Sequence, residues 1–319
     1  MNRPTNALDR RSLLGATGVI GLAAAGGLAL PGRAQASTAV PRFNLAAPFR
    51  TLYAKKRLHE NFSQQVLAFD SRNRRLFVAQ GRRYSTGDDL CLNRVSFTGA
   101  PLGTMYVNDC GHGVGFGVEP VGTSSYIWME ARPDSNNRGT ALMRFKWVPG
   151  TRPANVKYYF DEGRDVSCAI DPVYQRLVVR LIPAGRTGHT HRLYSLPFGH
   201  PENMRKLNEF YLPASVAGLG PLAGFAPFGR YLYVFTGRAQ RYASNIDSTL
   251  ATVDMSTSKQ VGGNMVTYAG RNLPYREPEG LSVHRGTDNR TRLFFGFASR
   301  DSYDGHQQYS NIFYKSLLF

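Results

Sequence analysis

Short apolar segments alternate with polar turns along this chain, and residues 65–80 show the pattern most clearly. Residues 66–69 and 76–79 are rich in side chains that favour β-strands, whereas residues 70–74 between them are polar and typical of a tight turn. These residues are therefore predicted to form a β-hairpin. The periodicity of an amphipathic helix is absent throughout the sequence, which favours an all-β fold.

The hairpin pattern returns four more times along the chain. Its clearest second copy comprises residues 167–171 and 176–179, and looser copies begin near residues 115, 224 and 280. The starts are spaced by roughly fifty residues, which is the period of a propeller blade rather than of a helical repeat. The sequence therefore predicts an all-β, five-bladed β-propeller.

Both ends of the repeat region have strand character, which indicates how the ring closes. Residues 49–58 precede the first hairpin, and residues 312–319 have the composition of a strand. A propeller closes its ring by completing one blade with strands from both ends, and this also covers strand edges. We therefore expect these two segments to pair. The blades are predicted at residues 65–107, 111–160, 166–212, 222–268 and 276–319.

The predicted second blade opens with an unusual run of glycines. Four of the seven residues from 111 to 117 are glycine, which would weaken an ordinary strand. Neighbouring blades converge on the axis of a propeller, where side chains must be small. This run is therefore predicted to belong to an innermost strand.

The N-terminal residues have the features of an export signal. Arg10 and Arg11 form a twin-arginine pattern, residues 13–30 are apolar and rich in glycine and alanine, and residues 34–36 form an A-x-A cleavage site. A transmembrane anchor is the rival interpretation, but the glycines and Pro31 make the segment weakly hydrophobic.

We therefore expect a twin-arginine signal peptide at residues 1–36 and a single propeller domain at residues 37–319. The mature protein is then predicted to be secreted, extracellular or associated with the cell wall, without an integral membrane span. The sequence leaves the oligomeric state open.

The chain is strongly basic, with 39 lysines and arginines against 22 acidic residues and a formal net charge of +17. The first 36 residues hold four arginines and one aspartate, so the charge is +14 without them. Such a domain attracts polyanions. Nucleic acid is not the predicted partner, because the basic residues are scattered and no nucleic-acid motif accompanies them. Anionic wall glycopolymers, phospholipid surfaces and acidic polysaccharides remain, as does simple adhesion of a basic protein to surfaces.

Four segments resemble a known family. They are residues 111–120, residues 275–280, the hairpin at 66–70 and 75–78, and residues 295–299. These segments resemble the actinobacterial secreted relatives of teichoic acid biosynthesis protein C, a group that shares a five-bladed propeller with the receptor-binding protein of a staphylococcal podophage. The resemblance implies recognition of a cell-wall glycopolymer, with teichoic acid the favoured ligand. It carries no defined catalytic motif.

Propellers bind ligands at the end of the central channel, where the loops that lead into the innermost strands converge. On that geometry we expect basic groups to meet phosphate and the remaining polar groups to meet sugar hydroxyls. Further arginines that suit phosphate are Arg82, Arg83, Arg180, Arg238 and Arg241. The predicted ligand-binding residues are Gln65, His112, Glu119, Arg276, Glu277 and Glu279.

Two other functions remain open from the sequence. Glu119 facing Glu277 or Glu279 across the channel would form the acid and base of an exported carbohydrate-active hydrolase or lyase. The competing interpretation is that these carboxylates bond backbone amides and fix the ring. A module that binds another protein of the cell envelope is the third possibility. The sequence holds no serine–histidine–aspartate arrangement, phosphate-binding loop or CxxC pair.

No metal or cofactor is predicted. His189 and His191 form an H-x-H pair that suits a metal, but a third ligand at suitable spacing is missing. The sequence leaves open a disulfide between Cys91 and Cys110, since a shift of one residue in strand register would separate their Cβ atoms. Cys168 lies in an apolar strand and is predicted to be an inert core thiol.

Overall fold

A computed structural model describes residues 40–82, 89–241 and 245–319. The predicted export signal at residues 1–36 therefore lies outside the described residues, as does Arg83. Within the described part, the chain forms 21 strands that make up five antiparallel sheets. No helix of that part is long and apolar enough to cross a membrane.

The first strand and the first two blades follow the sequence-based prediction closely. The chain begins with β1 (Arg50–Lys56). Blade one contains β2 (Gln64–Asp70), β3 (Arg75–Gly81), β4 (Leu90–Val95) and β5 (Pro101–Val107). Blade two contains β6 (Phe116–Val121), β7 (Ser124–Pro133), β8 (Gly139–Lys146) and β9 (Lys157–Tyr159).

The remaining three blades also contain short helical turns. Blade three contains β10 (Gly163–Asp171), β11 (Arg176–Pro183), β12 (Thr190–Ser195) and β13 (Arg205–Phe210), with a 3-10 turn at Pro201–Asn203. The one-turn helix α1 (Ala214–Ala217) leads to blade four, which contains β14 (Leu222–Phe228), β15 (Tyr231–Thr236), β16 (Thr249–Asp254), β17 (Lys259–Gln260) and β18 (Met265–Val266). Blade five contains β19 (Glu277–Arg285), β20 (Thr291–Arg300) and β21 (Gln308–Lys315), together with β1.

The innermost strands form a closed ring. Strand β2 contacts β6, β6 contacts β10, β10 contacts β14, β14 contacts β19, and β19 returns to β2. The predicted five-bladed β-propeller is therefore confirmed.

Ring closure also follows the prediction. Strand β1 pairs antiparallel with β21 in the sheet order β1-β21-β20-β19, with Arg50 opposite Tyr314 and Lys56 opposite Ser310. A further bridge joins Phe43 to Leu318. These pairs bring the two ends of the propeller into one sheet, so that blade five locks the ring.

The glycine run of blade two divides between a loop and a strand. Strand β6 begins only at Phe116, whereas Gly111 and Gly113 have φ of 81° and 85° and lie in the preceding loop. The prediction of an innermost strand from residue 111 was therefore wrong for the first half of the run. For the second half it was correct, because a Cβ on Gly117 would lie 2.5 Å from the Ile170 side chain of the adjacent blade.

The hydrophobic core lies between the blades. Phe77 and Leu92 of blade one pack with Ile127 and Phe145 of blade two, and all four side chains are buried. Equivalent clusters fill the other blade interfaces. Each blade therefore depends on its neighbours for burial of its apolar faces.

The cysteines are thiols in this structure, so Cys91 and Cys110 do not form a disulfide. Cys91 lies opposite Tyr106 in the β4–β5 pair, and Cys110 follows the end of β5. Cys168 is fully buried, donates to the carbonyl of Trp128 at 3.3 Å, and has its pKa raised by burial. A thiol in this setting is protonated and unreactive.

Candidate ligand-binding site at the propeller axis

A cavity of about 350 Å³ lies where the loops leading into the innermost strands converge. Blades one, two, four and five contribute to it. Four of the six predicted residues line this cavity: Gln65, His112, Glu277 and Glu279. Two arginines, Arg138 and Arg238, complete its charged lining.

Glu277 and Glu279 occupy alternate positions at the start of β19, with the buried Pro278 between them. The strand can approach blade one here because residue 280 is glycine. Gly280 has a φ of 88°, and a Cβ on it would lie 2.7 Å from the backbone nitrogen of Leu67. This close approach of the β19 backbone to blade one places the two glutamates near the propeller axis.

Electrostatics separate the two carboxyl groups. Burial raises the pKa of Glu279 well above its ordinary value, and the nearby charge of Glu277 raises it further. Burial also raises the pKa of Glu277, but Arg300 opposes that shift. Glu279 therefore keeps its proton to higher pH than Glu277. Each carboxyl group offers a donor to a ligand when it is protonated and an acceptor when it is ionised.

A buried carboxylate beneath the cavity fixes two of its loops. Glu130 accepts hydrogen bonds from the backbone amides of Gly113, of Val114 at 3.1 Å and of Gly139 at 3.0 Å. The first two amides follow His112, and the third follows Arg138. Burial raises the pKa of Glu130 to about 7, although these hydrogen bonds oppose the shift. Glu130 was not among the residues predicted from the sequence. An acidic residue within the otherwise apolar strand β7 is the feature that could have identified it.

The loops that carry His112 and Arg138 are therefore held by the same buried carboxylate. The His112 side chain is exposed at the rim, and partial desolvation together with the charge of Arg138 lowers its pKa. At neutral pH it is a neutral donor and acceptor. Among the described residues, no ion pair or hydrogen bond reaches the guanidinium of Arg138, which is partly buried. Sequence reasoning missed Arg138, since it lies in a turn with no distinguishing motif.

Arg238 is the second cation of the rim. It is exposed, and its contact with Asp247 is long, at 3.8 Å. The sequence had marked it only as one of several arginines that suit phosphate. With Arg138, it places positive charge on the wall of the cavity formed by blades two and four.

The structure places Arg276 in the interior and not in the cavity. Its guanidinium donates to the carbonyl of Ala269 at 2.8 Å and to that of Thr267 at 3.0 Å, and it lies 3.7 Å from the centre of the Phe297 ring. Burial lowers its pKa to about 9. Arg276 therefore holds the segment that leads from blade four to blade five. Because it is buried there, the phosphate contact expected of it from the sequence is not supported.

Glu119 is also interior. Its carboxylate accepts from Trp128 Nε1 at 2.7 Å, from Arg144 Nε at 2.8 Å and from the amide of Gly199 at 2.6 Å. It does not line the cavity, so it cannot face Glu277 or Glu279 as the alternative hydrolase or lyase hypothesis requires, and its bond to a backbone amide agrees with the competing interpretation. Glu119 therefore links blade two to blade three, and its bonds to Arg144 and to the Gly199 amide compensate for the burial of its charge.

The start of blade three carries a separate polar cluster. Asp165 contacts His189 Nε2 at 2.6 Å and Arg180 Nη1 at 3.1 Å. Burial opposes ionisation of Asp165, but these hydrogen bonds and the charge of Arg180 outweigh it and lower the pKa. His191 does not bond to Asp165 and stacks on Phe210 at 5.2 Å between ring centres. Across the residues described, no group of three potential metal ligands is present.

Comparisons with known proteins support the fold and the resemblance. Residues 63–171 match the family described as the phage 5-bladed beta propeller receptor binding platform domain. The major teichoic acid biosynthesis protein C of Bacillus subtilis (strain 168) is 24% identical over 269 residues, which cover 78% of this chain and 59% of that protein. The resemblance predicted from the sequence is thereby confirmed.

Among solved structures, the tail fiber of Staphylococcus aureus phage P68 aligns with a TM-score of 0.67 and 14% identity, over 85% of this chain and 53% of the fiber. The chain thus spans little more than half the length of either relative. An alpha-L-arabinofuranosidase from Lactobacillus brevis aligns at a TM-score of 0.46 and 10% identity, over 80% of this chain and 91% of the enzyme. That likeness is too low to bear on activity. This chain therefore has the propeller fold of a phage receptor-binding platform.

Proposed function

We propose that this propeller binds an anionic cell-surface glycopolymer at its axial cavity, with teichoic acid the favoured ligand and without catalysis. The observation that carries the proposal is the lining of the cavity. Arg138, which has no ion-pair partner among the described residues, lines the same cavity as the two glutamates of β19. An arginine suits a phosphate group, and carboxyl groups suit sugar hydroxyls.

The two arginines of the cavity suit phosphodiester groups. A guanidinium presents donors in a fixed plane that matches two phosphate oxygens. Arg138 is partly desolvated, and this strengthens its interaction with an anion compared with an arginine in open solvent. Arg238 extends the positive wall toward the solvent.

The other polar groups of the cavity suit a sugar. Gln65 and His112 each offer a donor, and the carboxyl groups of Glu277 and Glu279 offer oxygens that accept from sugar hydroxyls. A cavity of about 350 Å³ lies within the range of about 300–1,000 Å³ typical of small-ligand pockets. It therefore accommodates one unit of a polymer whose neighbouring units lie along the surface.

Binding rather than hydrolysis is favoured by the position of the carboxylates. Glycosidases flank the scissile bond with two carboxyl groups on opposite sides. Here the two available carboxyl groups are neighbours on one strand, and Glu119 is engaged by Arg144. The proposal also places the protein outside the membrane, after export through the signal predicted at residues 1–36.

A wall-binding assay tests this function. The purified protein is incubated with bacterial cell wall that carries teichoic acid and with the same wall after teichoic acid has been stripped off. We expect retention only on the first, and a loss of retention as salt is raised. Equal retention on both walls would instead indicate peptidoglycan or a protein partner. Release of reducing ends or of unsaturated products from the polymer would show catalysis and contradict the proposal.

A further inference from the structure

A second concave surface lies on the side of the propeller, away from the axial cavity. This lateral groove has a volume of about 610 Å³ and runs between the edge strand β1 and the segment 268–273 that leads into blade five. Its main lining residues are Phe49, Lys55, Tyr268, Arg271, Asn272 and Phe313.

One wall is shaped by an irregular strand. The pairing of β1 with β21 shifts register twice, and Lys55 has a φ of 51°, in the left-handed region that non-glycine residues seldom adopt. The Lys55 amide is held by Asn311 Oδ1 at 2.8 Å. The amide nitrogen of Asn311 is in turn bonded to the carbonyl of Phe297 at 3.0 Å and to Ser299 Oγ at 2.9 Å. Bulges of this kind redirect a side chain, and this one turns Lys55 into the groove.

The other wall is an anchored turn. The Arg271 amide donates to the carbonyl of Tyr268 at 3.1 Å, and the Leu273 amide donates to that of Gly270 at 2.9 Å. The buried guanidinium of Arg276 holds the turn from below through the carbonyl of Ala269. Both walls are therefore fixed in place before any ligand arrives.

The groove exposes two aromatic rings. Tyr268 has 59% of its surface exposed and Phe49 has 37%. Phe49 is supported from behind by a perpendicular contact with Phe313, with 5.8 Å between ring centres. Exposed aromatic rings that line a concave surface mark a binding site, and the apolar face of a sugar ring stacks on them.

The groove also exposes two positive charges. Lys55 and Arg271 are both exposed. Across residues 40–82, 89–241 and 245–319, neither side chain has an ion-pair partner, whereas Arg82, Arg192 and Arg292 each pair with an acid. No acidic residue lines the groove. The surface therefore attracts an anion, and its aromatic rings suit one that carries sugar rings.

We propose that the lateral groove is a second binding site for the same anionic glycopolymer. Sugar rings lie against Tyr268 and Phe49, and phosphate groups meet Lys55 and Arg271. This inference rests on the proposed function for the class of ligand, but it assigns a site separate from the axial cavity. One polymer chain that occupies both sites, or two chains held by one protein, binds more tightly than the cavity alone permits.

A reporter variant tests the groove directly. Trp128 and Trp147 are buried, so a Tyr268→Trp variant adds an exposed indole whose fluorescence reports on the groove. The probe is deacylated poly(glycerol phosphate) whose glycerol units carry glucosyl groups, which supplies both phosphates and sugar rings, and it is titrated at low salt. We expect a saturable emission change, which persists when Arg138→Gln is added to weaken the axial cavity. A Tyr211→Trp variant, at a residue with 48% exposure on another blade, serves as the matched control and should not respond.

Charge reversal supplies the second measurement. The double variant Lys55→Glu/Arg271→Glu is expected to lose affinity for the probe by a factor on the order of ten. Lys146→Glu/Arg152→Glu, which makes the same change at exposed positions of blade two, is expected to retain affinity within about twofold. Both variants are checked for the unfolding midpoint of the parent.

The outcomes separate the two proposals. Binding that depends on Arg138 without an indole response overturns the groove and leaves the axial site. Equal losses from the two double variants show a general charge effect and overturn the groove as well. An equal indole response to a neutral β-glucan overturns its preference for an anion. A wild-type protein that does not bind the probe overturns both the groove and the proposed function.

Discussion

Glu130 accepts a hydrogen bond from the amide of Gly139 at 3.0 Å, and this contact joins a buried strand of blade two to the turn that carries Arg138. The same carboxylate also holds the loop of His112 through the amides of Gly113 and Val114. One interior side chain thus positions two groups of the axial cavity that come from different loops.

Removal of the Glu130 carboxylate is expected to lower the stability of the fold. In Glu130→Ala, three backbone amides lose their acceptor at once, and each buried donor left unsatisfied costs about 1–3 kcal/mol. We expect the free energy of unfolding to fall by about 2 kcal/mol or more, measured by urea denaturation. Glu162→Ala, at a largely exposed carboxylate of blade three, is the control and should change it by less than about 1 kcal/mol. Equal losses from the two variants would contradict a specific role for Glu130.

Stability is expected to depend on pH through the same residue. The pKa of Glu130 is about 7 in the folded protein, above the ordinary value of 4.5. Between these values the folded protein holds a proton that the unfolded chain releases. The contribution of Glu130 to the free energy of unfolding therefore falls as pH rises from about 4.5 to about 7 and is level above that range.

Between pH 4.5 and pH 7 the contribution of Glu130 to the free energy of unfolding changes by about 3 kcal/mol in total. It is measured as the difference in unfolding free energy between the wild type and Glu130→Gln at several pH values, because glutamine does not titrate. A difference that is constant from pH 4.5 to pH 7, or that grows in favour of the wild type, would refute this assignment.

Ligand affinity is expected to fall as pH rises, for a separate reason. The pKa values of both Glu277 and Glu279 are raised, so raising the pH adds negative charge to a cavity proposed to hold an anion. Glu279→Gln removes one of these charges, so its affinity should depend less on pH than that of the wild type. Calorimetric titration with poly(glycerol phosphate) at several pH values and constant ionic strength measures both affinities. Affinity that increases with pH in the wild type would exclude phosphate from the neighbourhood of these glutamates.

Arg276 is expected to act on stability and not on axial binding. Arg276→Met keeps an apolar stem over Phe297 but leaves the carbonyl of Ala269 without its donor, and the carbonyl of Thr267 keeps only the Ser248 hydroxyl. We expect a loss of about 3 kcal/mol in the free energy of unfolding. At a temperature where the variant is folded, its axial affinity should match the wild type. Loss of affinity without loss of stability would return Arg276 to the ligand contacts predicted from the sequence.

The sequence was sufficient to predict the five blades and the closing pair of strands, because a repeated hairpin pattern specifies local strand pairing. It could not show that Glu119 and Arg276 are interior. Arg144, a partner of Glu119, lies on another strand, whereas Gly199 and Ala269 lie in turns. The alternation of polar and apolar residues along one strand does not reveal such contacts. Arg138 was missed for a related reason, since its position depends on the conformation of a turn and on its distant anchor Glu130.

The most direct test of the account is a calorimetric comparison of Arg138→Glu with Arg152→Glu against poly(glycerol phosphate). Arg152 is exposed on blade two and lies outside both the axial cavity and the lateral groove, so the two variants carry the same net charge. We predict that Arg138→Glu weakens binding by a factor on the order of ten or more, as loss of a charged contact does, while Arg152→Glu binds as the wild type does. Equal affinities in the two variants would contradict binding of an anionic polymer at the propeller axis.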